Sequence, residues 1–109
     1  MSTQADILLI DWWAKNLEQL DREIARLAVM CKVRILDDGV VERVLRNDES
    51  VCGTANPAAF KKLHGLLVMH FLIRKRSAEA LGQAQTAQIE QHVIERLKKP
   101  YADLVGGLP

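Results

Sequence analysis

The sequence has few of the residues that mark specialised folds: of its 109 residues, two are cysteine, three are proline and 5% are aromatic. Cys31 and Cys52 form no CxxC motif, so neither a zinc site nor a disulfide framework is indicated. We expect both to be reduced thiols, and a disulfide between them is the alternative. No apolar run reaches the ~20 residues that a membrane-spanning helix needs.

Charge of one sign is also lacking, because 15 lysines and arginines balance 14 aspartates and glutamates to a net charge of +1. Bulk electrostatics therefore favour neither nucleic acid nor an acidic partner. The first residues, "MSTQADILLIDWW", contain no basic region and place Asp6 and Asp11 among apolar residues, unlike a secretory signal. We expect a cytoplasmic protein with a single domain over residues 1–103 and a flexible tail over 104–109.

Signatures of enzymes are missing as well. The six glycines are scattered and form no phosphate-binding loop, and there is no GxSxG nucleophile elbow. Cys52, in the loop "SVCGTAN", is the one arguable nucleophile, since a cysteine near a helix N-terminus can have a lowered pKa. We expect no enzymatic activity, no cofactor and no bound metal.

What the sequence does contain is helical periodicity. Residues 4–36 are predicted to form one long helix, because apolar residues recur at alternating spacings of three and four, as in a bundle or coiled coil. This seam consists of Ile10, Trp13, Leu17, Leu20, Ile24, Leu27 and Cys31. The charged residues between the seam positions, Asp21 among them, are predicted to form a solvated face.

The segment "KVRILDDGVVERVLRND" fits two structures. Asp38-Gly39 between β-branched residues is typical of a hairpin. The alternative is a short helix over 40–46, capped by Asp37 or Asp38. We favour the short helix, because a lone hairpin on a helical domain would leave its strand edges unpaired.

The second half of the chain begins at Asn56-Pro57, since Asn is a favoured N-cap and Pro suits the first helical position. A helix is predicted from there to about residue 81, where Gly82 ends or kinks it. A last helix over 84–99 is predicted to end at Pro100. Whether 57–99 is one bent helix or two stays open.

Together these elements predict an all-α bundle. It would consist of two long helices, a shorter C-terminal helix and a small connecting helix. Three substantial helices leave a four-helix bundle incomplete, so we expect dimerisation to complete the core.

The run "LHGLLVMHFLIRKR" contains His64 and His70 among apolar residues. Their separation of six places them ~120° apart around a helix, whereas two ligands of one metal need spacings of three or four. We therefore expect interior histidines bonded to a carbonyl or carboxylate; a metal, haem or small-ligand site is the alternative. Residues 63–73 are apolar on every face, which predicts that protein surrounds this helix.

Gly65 is unusual in the middle of a predicted helix, where glycine costs about 1 kcal/mol relative to alanine. Close approach by another helix or by a large ring would offset that cost. Trp12 and Trp13 are the obvious candidates for such a ring. A tolerated glycine without special packing is the alternative.

A second apolar patch lies beside the N-terminal seam, because Trp12 points ~100° away from Trp13. We predict a homodimer that uses Leu8, Leu9, Trp12, Trp13 and Leu17. The function that this pattern favours is a non-enzymatic interaction or regulatory module, acting through contacts with protein. The alternative is nucleic-acid binding through the basic ends of the third predicted helix, at Lys61, Lys62, Arg74, Lys75 and Arg76.

Overall fold

Helices dominate the structure, a computed structural model that describes residues 4–37, 39–80, 82 and 86–106. Within these ranges there are five α-helices, one short 3-10 turn at Glu49–Val51, and no strand. The predicted all-α class is therefore confirmed. The helices are α1 (Gln4–Lys15), α2 (Leu17–Met30), α3 (Val40–Leu45), α4 (Pro57–Ala80) and α5 (Thr86–Gly106).

The prediction of one continuous helix over 4–36 is wrong, because the helix is interrupted at Asn16 and ends after Met30. Asn16 has φ −124° and ψ 41°, outside the helical region. Its side-chain amide donates to the carbonyl of Trp12 at 2.7 Å and takes the place of a backbone donor. The result is two helices, α1 and α2, where the seam predicts one.

α2 ends in a Schellman motif that was not predicted from the sequence. Lys32 adopts φ 51°, a left-handed conformation in which glycine is usual. The amide of Lys32 donates to the carbonyl of Val29 and that of Val33 donates to Ala28. Beyond the motif, Val33 and Ile35 alternate into the core and are fully buried.

The short connecting helix is confirmed as α3, in preference to a hairpin. Its N-cap is Gly39 at φ 76°, so the prediction that Asp37 caps it is not supported. The other predicted cap, Asp38, lies outside the described residues. α4 begins as predicted, with the Asn56 side-chain oxygen accepting a hydrogen bond from the amide of Ala59 at 3.3 Å.

Residues 57–99 form two helices and not one bent helix. Gly82, at φ 72°, lies between α4 and α5. The predicted end at Pro100 is wrong, because α5 continues through this proline to Gly106. The C-terminal helix, with 21 residues, is therefore nearly as long as α4 with 24. Of the predicted tail, residues 104–106 are helical and 107–109 lie outside the described residues.

The core centres on α2, which packs against both α4 and α5, while α1 packs mainly against α4. Burying one large apolar side chain contributes roughly 1.5–3 kcal/mol, so this three-helix contact dominates the stability. Its fully buried members include Leu20, Ile24, Leu63, Leu67 and Leu97.

None of the helices that the structure describes combines the length and the apolar character that crossing a bilayer requires.

Candidate interaction face and buried polar cluster

α4 is not surrounded by protein on every side, contrary to the prediction for residues 63–73. Its outer stripe consists of Gly65, Val68 and Leu72, which recur at the helical spacings of three and four. Gly65 is exposed, Val68 is half-buried and Leu72 retains 39% exposure. A helix that is apolar all round therefore presents an apolar line to the outside of this chain.

Gly65 has open space above it. A Cβ built on this residue would have no atom of the described residues within 4 Å. Neither Trp12 nor Trp13 of the same chain supplies the close approach that was one explanation for this glycine. Among the described residues, no packing contact therefore offsets the helical cost of Gly65.

The two tryptophans of α1 differ in exposure. Trp13 is half-buried and packs against the core together with Leu17, whereas Trp12 is 48% exposed. The rings meet edge to face, with centroids 4.6 Å apart and planes at 80°. Of the five residues predicted as an interface, Trp12 is the one shown to be largely exposed. Leu8 and Leu9 lie within α1, but their side chains are outside the described part of the chain.

The basic residues of α4 do not form a single patch. Lys61 and Lys62 are exposed near its start, while Lys75 and Arg76 are exposed near its end, ~20 Å away at 1.5 Å per residue. Arg76 pairs with Asp11 of α1 at 2.9 Å. The fifth member, Arg74, is half-buried. The broad one-signed surface that nucleic-acid binding needs is therefore absent among these five residues.

His64 has the carbonyl partner expected of an interior histidine. Its Nδ1 lies 2.7 Å from the carbonyl oxygen of Val44. Because a carbonyl only accepts, Nδ1 carries the hydrogen, and the bond ties α4 to α3.

His70 is fully buried and lies among charged groups from three helices. Its Nδ1 is 3.3 Å from Oδ1 of Asp21 on α2, a contact without the alignment of a hydrogen bond. Oδ2 of the same carboxylate accepts a hydrogen bond from Nε of Arg96 on α5 and forms an ion pair with its Nη2. Burial, and then the charges of Arg74 and Arg96, lower the pKa of His70 to about 4. The imidazole is therefore neutral at physiological pH.

The remaining charges of this cluster respond to burial in the same way. Burial raises the pKa of Asp21, and the charge and the hydrogen bond of Arg96 partly oppose that effect. Burial and the neighbouring Arg96 lower the pKa of Arg74. The cluster is thus a buried carboxylate with a charged partner and a neutral imidazole, which is suited to holding α2, α4 and α5 together.

The prediction that Asp21 lies on a solvated face is wrong, since it is only 4% exposed. A signal for its burial was present in the sequence. Ala25 and Ala28 follow at four and seven residues and are both fully buried. These small residues mark a second buried row beside the leucine seam, and Asp21 begins that row.

Cys52 does not have the environment of an activated nucleophile. It is half-buried, and burial together with the carboxylate of Glu49 raises its pKa. Catalytic cysteines need the opposite shift.

No group of three or more His, Cys, Asp or Glu side chains is placed to hold a metal ion in the ranges that the structure covers. Comparisons of the chain with protein-family models, with curated proteins and with solved structures found no match. Function is therefore inferred from the residues of this chain alone.

Proposed function

We propose that this protein is a non-enzymatic helical interaction module that acts as a homodimer, in which α1 of each copy packs across the outer stripe of α4 of the other. The observation that carries the proposal is the open space over Gly65, on the same stripe of α4 as the exposed Leu72. Trp12, 48% exposed on the neighbouring helix, is the side chain suited to fill that space.

The glycine supports close contact with a second helix. A mid-helix glycine costs about 1 kcal/mol relative to alanine. An aromatic ring placed directly on the backbone gains contact area that a Cβ would prevent, and this offsets the cost. Because no described side chain of the same chain occupies the position, the ring of Trp12 from the second copy is the proposed occupant.

Charge favours α1 as the helix that lies on α4. The basic residues 61, 62, 74, 75 and 76 against Glu79 give α4 a net charge of +4, whereas Asp6 and Asp11 against Lys15 give α1 a net charge of −1. Two α4 helices facing each other would repel. The ion pair between Asp11 and Arg76 already joins these two helices within one chain.

Symmetry makes this pairing reciprocal. α1 and α4 pack side by side in one chain, so their outer faces adjoin. A twofold axis passing between them places each helix opposite the other helix of the second copy. Such an isologous contact buries the Trp12 and Leu72 of both copies at once.

The test is the mass in solution of purified protein at micromolar concentration, measured by multi-angle light scattering. We expect twice the chain mass of 12.3 kDa for the wild type. Trp12→Glu removes the ring, and Gly65→Gln fills the space above the glycine while keeping good helix propensity. Both variants should have the mass of one chain.

The matched control is Met30→Glu, which places the same charge on another exposed apolar residue, 46% exposed at the end of α2. This variant should remain dimeric. A wild type with the mass of one chain contradicts the proposal. So does a dimer that survives both Trp12→Glu and Gly65→Gln, or one that Met30→Glu dissociates equally well.

A further inference from the structure

The loop after the 3-10 turn is held closely against the end of α2. The amide of Gly53 donates to the carbonyl oxygens of Cys31 at 3.0 Å and Lys32 at 3.2 Å. The hydroxyl of Thr54 donates to the carbonyl of Met30 at 3.3 Å. A Cβ on Gly53 would lie 2.7 Å from the Cβ of Lys32, so only glycine permits this approach. The two cysteines flank these contacts.

Cys31 and Cys52 lie side by side as a result, close enough for each thiol to act on the other. Cys31 is a fully buried member of the core, and Cys52 packs against that core from the loop. We propose that these two thiols are a redox site, which closes to a reversible intramolecular disulfide by exchange with a low-molecular-weight disulfide such as oxidised glutathione.

The two thiols differ in access, which sets their order of reaction. Cys52 is half-buried and lines an open depression at the surface, together with Thr54, Asn56 and Phe60. Cys31 has no exposed surface. An external disulfide therefore reaches Cys52 first, and Cys31 is the resolving thiol.

Each step is a thiol–disulfide exchange and needs no further oxidant. The Cys52 thiol loses its proton and attacks one sulfur of oxidised glutathione; a protein–glutathione bond forms, the glutathione S–S bond breaks, and one reduced glutathione leaves. Cys31 then loses its proton and attacks the Cys52 sulfur. The internal disulfide forms and the second reduced glutathione leaves, so two protein thiols are oxidised and one disulfide is reduced.

The local environment indicates that this exchange is slow at neutral pH. Burial and then the neighbouring Cys52 sulfur raise the pKa of Cys31. Burial and Glu49 raise the pKa of Cys52, and the Cys31 thiol acts in the opposite sense. Since the thiolate is the attacking species, the rate should keep rising with pH from about 7 to 9.

The bond would join the end of α2 to the segment that leads into α4. It encloses residues 32–51, with α3 among them. Cross-linking a loop of this length restricts the unfolded chain, so we expect the melting temperature of the oxidised protein to exceed that of the reduced protein by about 5 °C or more.

The experiment incubates native wild type, Cys31→Ala and Cys52→Ser with equal concentrations of reduced and oxidised glutathione at about pH 8. Intact mass and peptide mapping identify the products. We expect the wild type to lose two hydrogen atoms and to yield a peptide pair joined through Cys31 and Cys52. Cys31→Ala should keep one glutathione on Cys52, and Cys52→Ser should stay unmodified.

Other products overturn the proposal. These are a wild type that stays reduced, a wild type that accumulates the glutathione adduct without the internal bond, and a Cys52→Ser protein that takes up glutathione at Cys31. Dithiothreitol should restore the melting temperature of the reduced wild type. Circular dichroism verifies that the variants are folded. If Cys31→Ala does not fold, the peptide map of the wild type alone still shows whether the bond between Cys31 and Cys52 forms.

Discussion

Arg96 on α5 donates a hydrogen bond from Nε to Oδ2 of Asp21 on α2 at 2.9 Å, and its Nη2 lies at the same distance from that oxygen in an ion pair. The two partners differ in exposure, since the side chain of Asp21 is 6% exposed and that of Arg96 is 36% exposed. Removing Asp21 and removing Arg96 therefore leave different defects. Without Arg96, a carboxylate stays buried beside a neutral imidazole; without Asp21, the guanidinium can turn to water.

We expect Arg96→Met to destabilise the fold by about 3 kcal/mol, because breaking a buried pair leaves an uncompensated charge. The double variant Asp21→Leu, Arg96→Met should recover most of that loss, since it removes both charges and keeps apolar volume. Urea unfolding followed by circular dichroism measures the free energies of unfolding. A double variant no more stable than Arg96→Met contradicts the assignment of Asp21 as the stranded charge.

His70 predicts a dependence of stability on pH. Its pKa is lowered from 6.5 to about 4 in the folded protein, by burial and then by two arginine charges. Between these values the unfolded chain binds the proton more readily. The contribution of His70 is therefore fully present above pH 6.5 and is lost as the pH falls towards 4, by about 3 kcal/mol at most. The raised pKa of Asp21 acts in the opposite direction, because the folded protein binds this proton more readily than the unfolded chain as the pH falls, and it reduces the net loss.

The measurement is the free energy of unfolding in urea at several values of pH from 7 to about 4.5. His70→Leu keeps the site buried without a titrating group, so its stability should vary less over this range than that of the wild type. His92→Gln, at an exposed position of α5, is the control and should follow the wild type. Equal slopes for His70→Leu and the wild type contradict the role of His70.

The sequence allowed the helical class, α3 and the start of α4 to be predicted, because each is marked by local chemistry such as apolar spacing or an Asn-Pro pair. The interruptions were missed because of their residue types. Asn16 breaks the first helix with its own side chain, and Lys32 takes a conformation in which glycine is usual. Lysine is not a signal for the end of a helix, and the seam spacing continues across Asn16 from Trp13 to Leu17.

The buried cluster could be predicted only in part. The interior position of His70 followed from its apolar neighbours in sequence. Asp21 and Arg96 could not be predicted as its neighbours, because they come from other helices and 75 positions separate the two residues. Local periodicity gives the face on which a residue lies, whereas the pairing of faces is decided by tertiary packing.

Substitution by alanine is expected to have opposite effects on stability at Gly53 and at Gly65. Gly53→Ala places a Cβ 2.7 Å from the Cβ of Lys32 and 3.1 Å from its carbonyl oxygen, so we expect a loss of about 1–3 kcal/mol. Gly65→Ala meets open space and improves helix propensity. In the Trp12→Glu background, which removes the proposed contact with a second copy, Gly65→Ala should gain about 1 kcal/mol.

The measurement is the free energy of unfolding of Gly53→Ala and of Gly65→Ala, both made in the Trp12→Glu background. Lys32→Gly removes the Cβ that Gly53→Ala would contact, so the loss due to Gly53→Ala should shrink when the two changes are combined. A loss that Lys32→Gly leaves unchanged places the crowding elsewhere. A destabilising Gly65→Ala in the Trp12→Glu background shows that the space above Gly65 is occupied.

α5 continues through Pro100, although a proline inside a helix costs about 3 kcal/mol and leaves a carbonyl one turn earlier without its donor. Packing on both sides of the proline offsets that cost. Before the proline, Leu97 is fully buried. Directly after it, Tyr101 packs against the core, and its hydroxyl donates a hydrogen bond to the carbonyl of Val33 at 3.3 Å. We therefore expect Pro100→Ala to stabilise the protein by about 1–3 kcal/mol.

Tyr101→Phe should cost about 1 kcal/mol, since it removes only the hydrogen bond. The contact with Val33 ties the last turns of α5 to the segment after α2, so these turns depend on the tyrosine more than on local propensity. Urea unfolding of both single variants and the double variant separates the two effects. A destabilising Pro100→Ala contradicts this account, because it means that the bend at the proline is what brings Tyr101 to Val33.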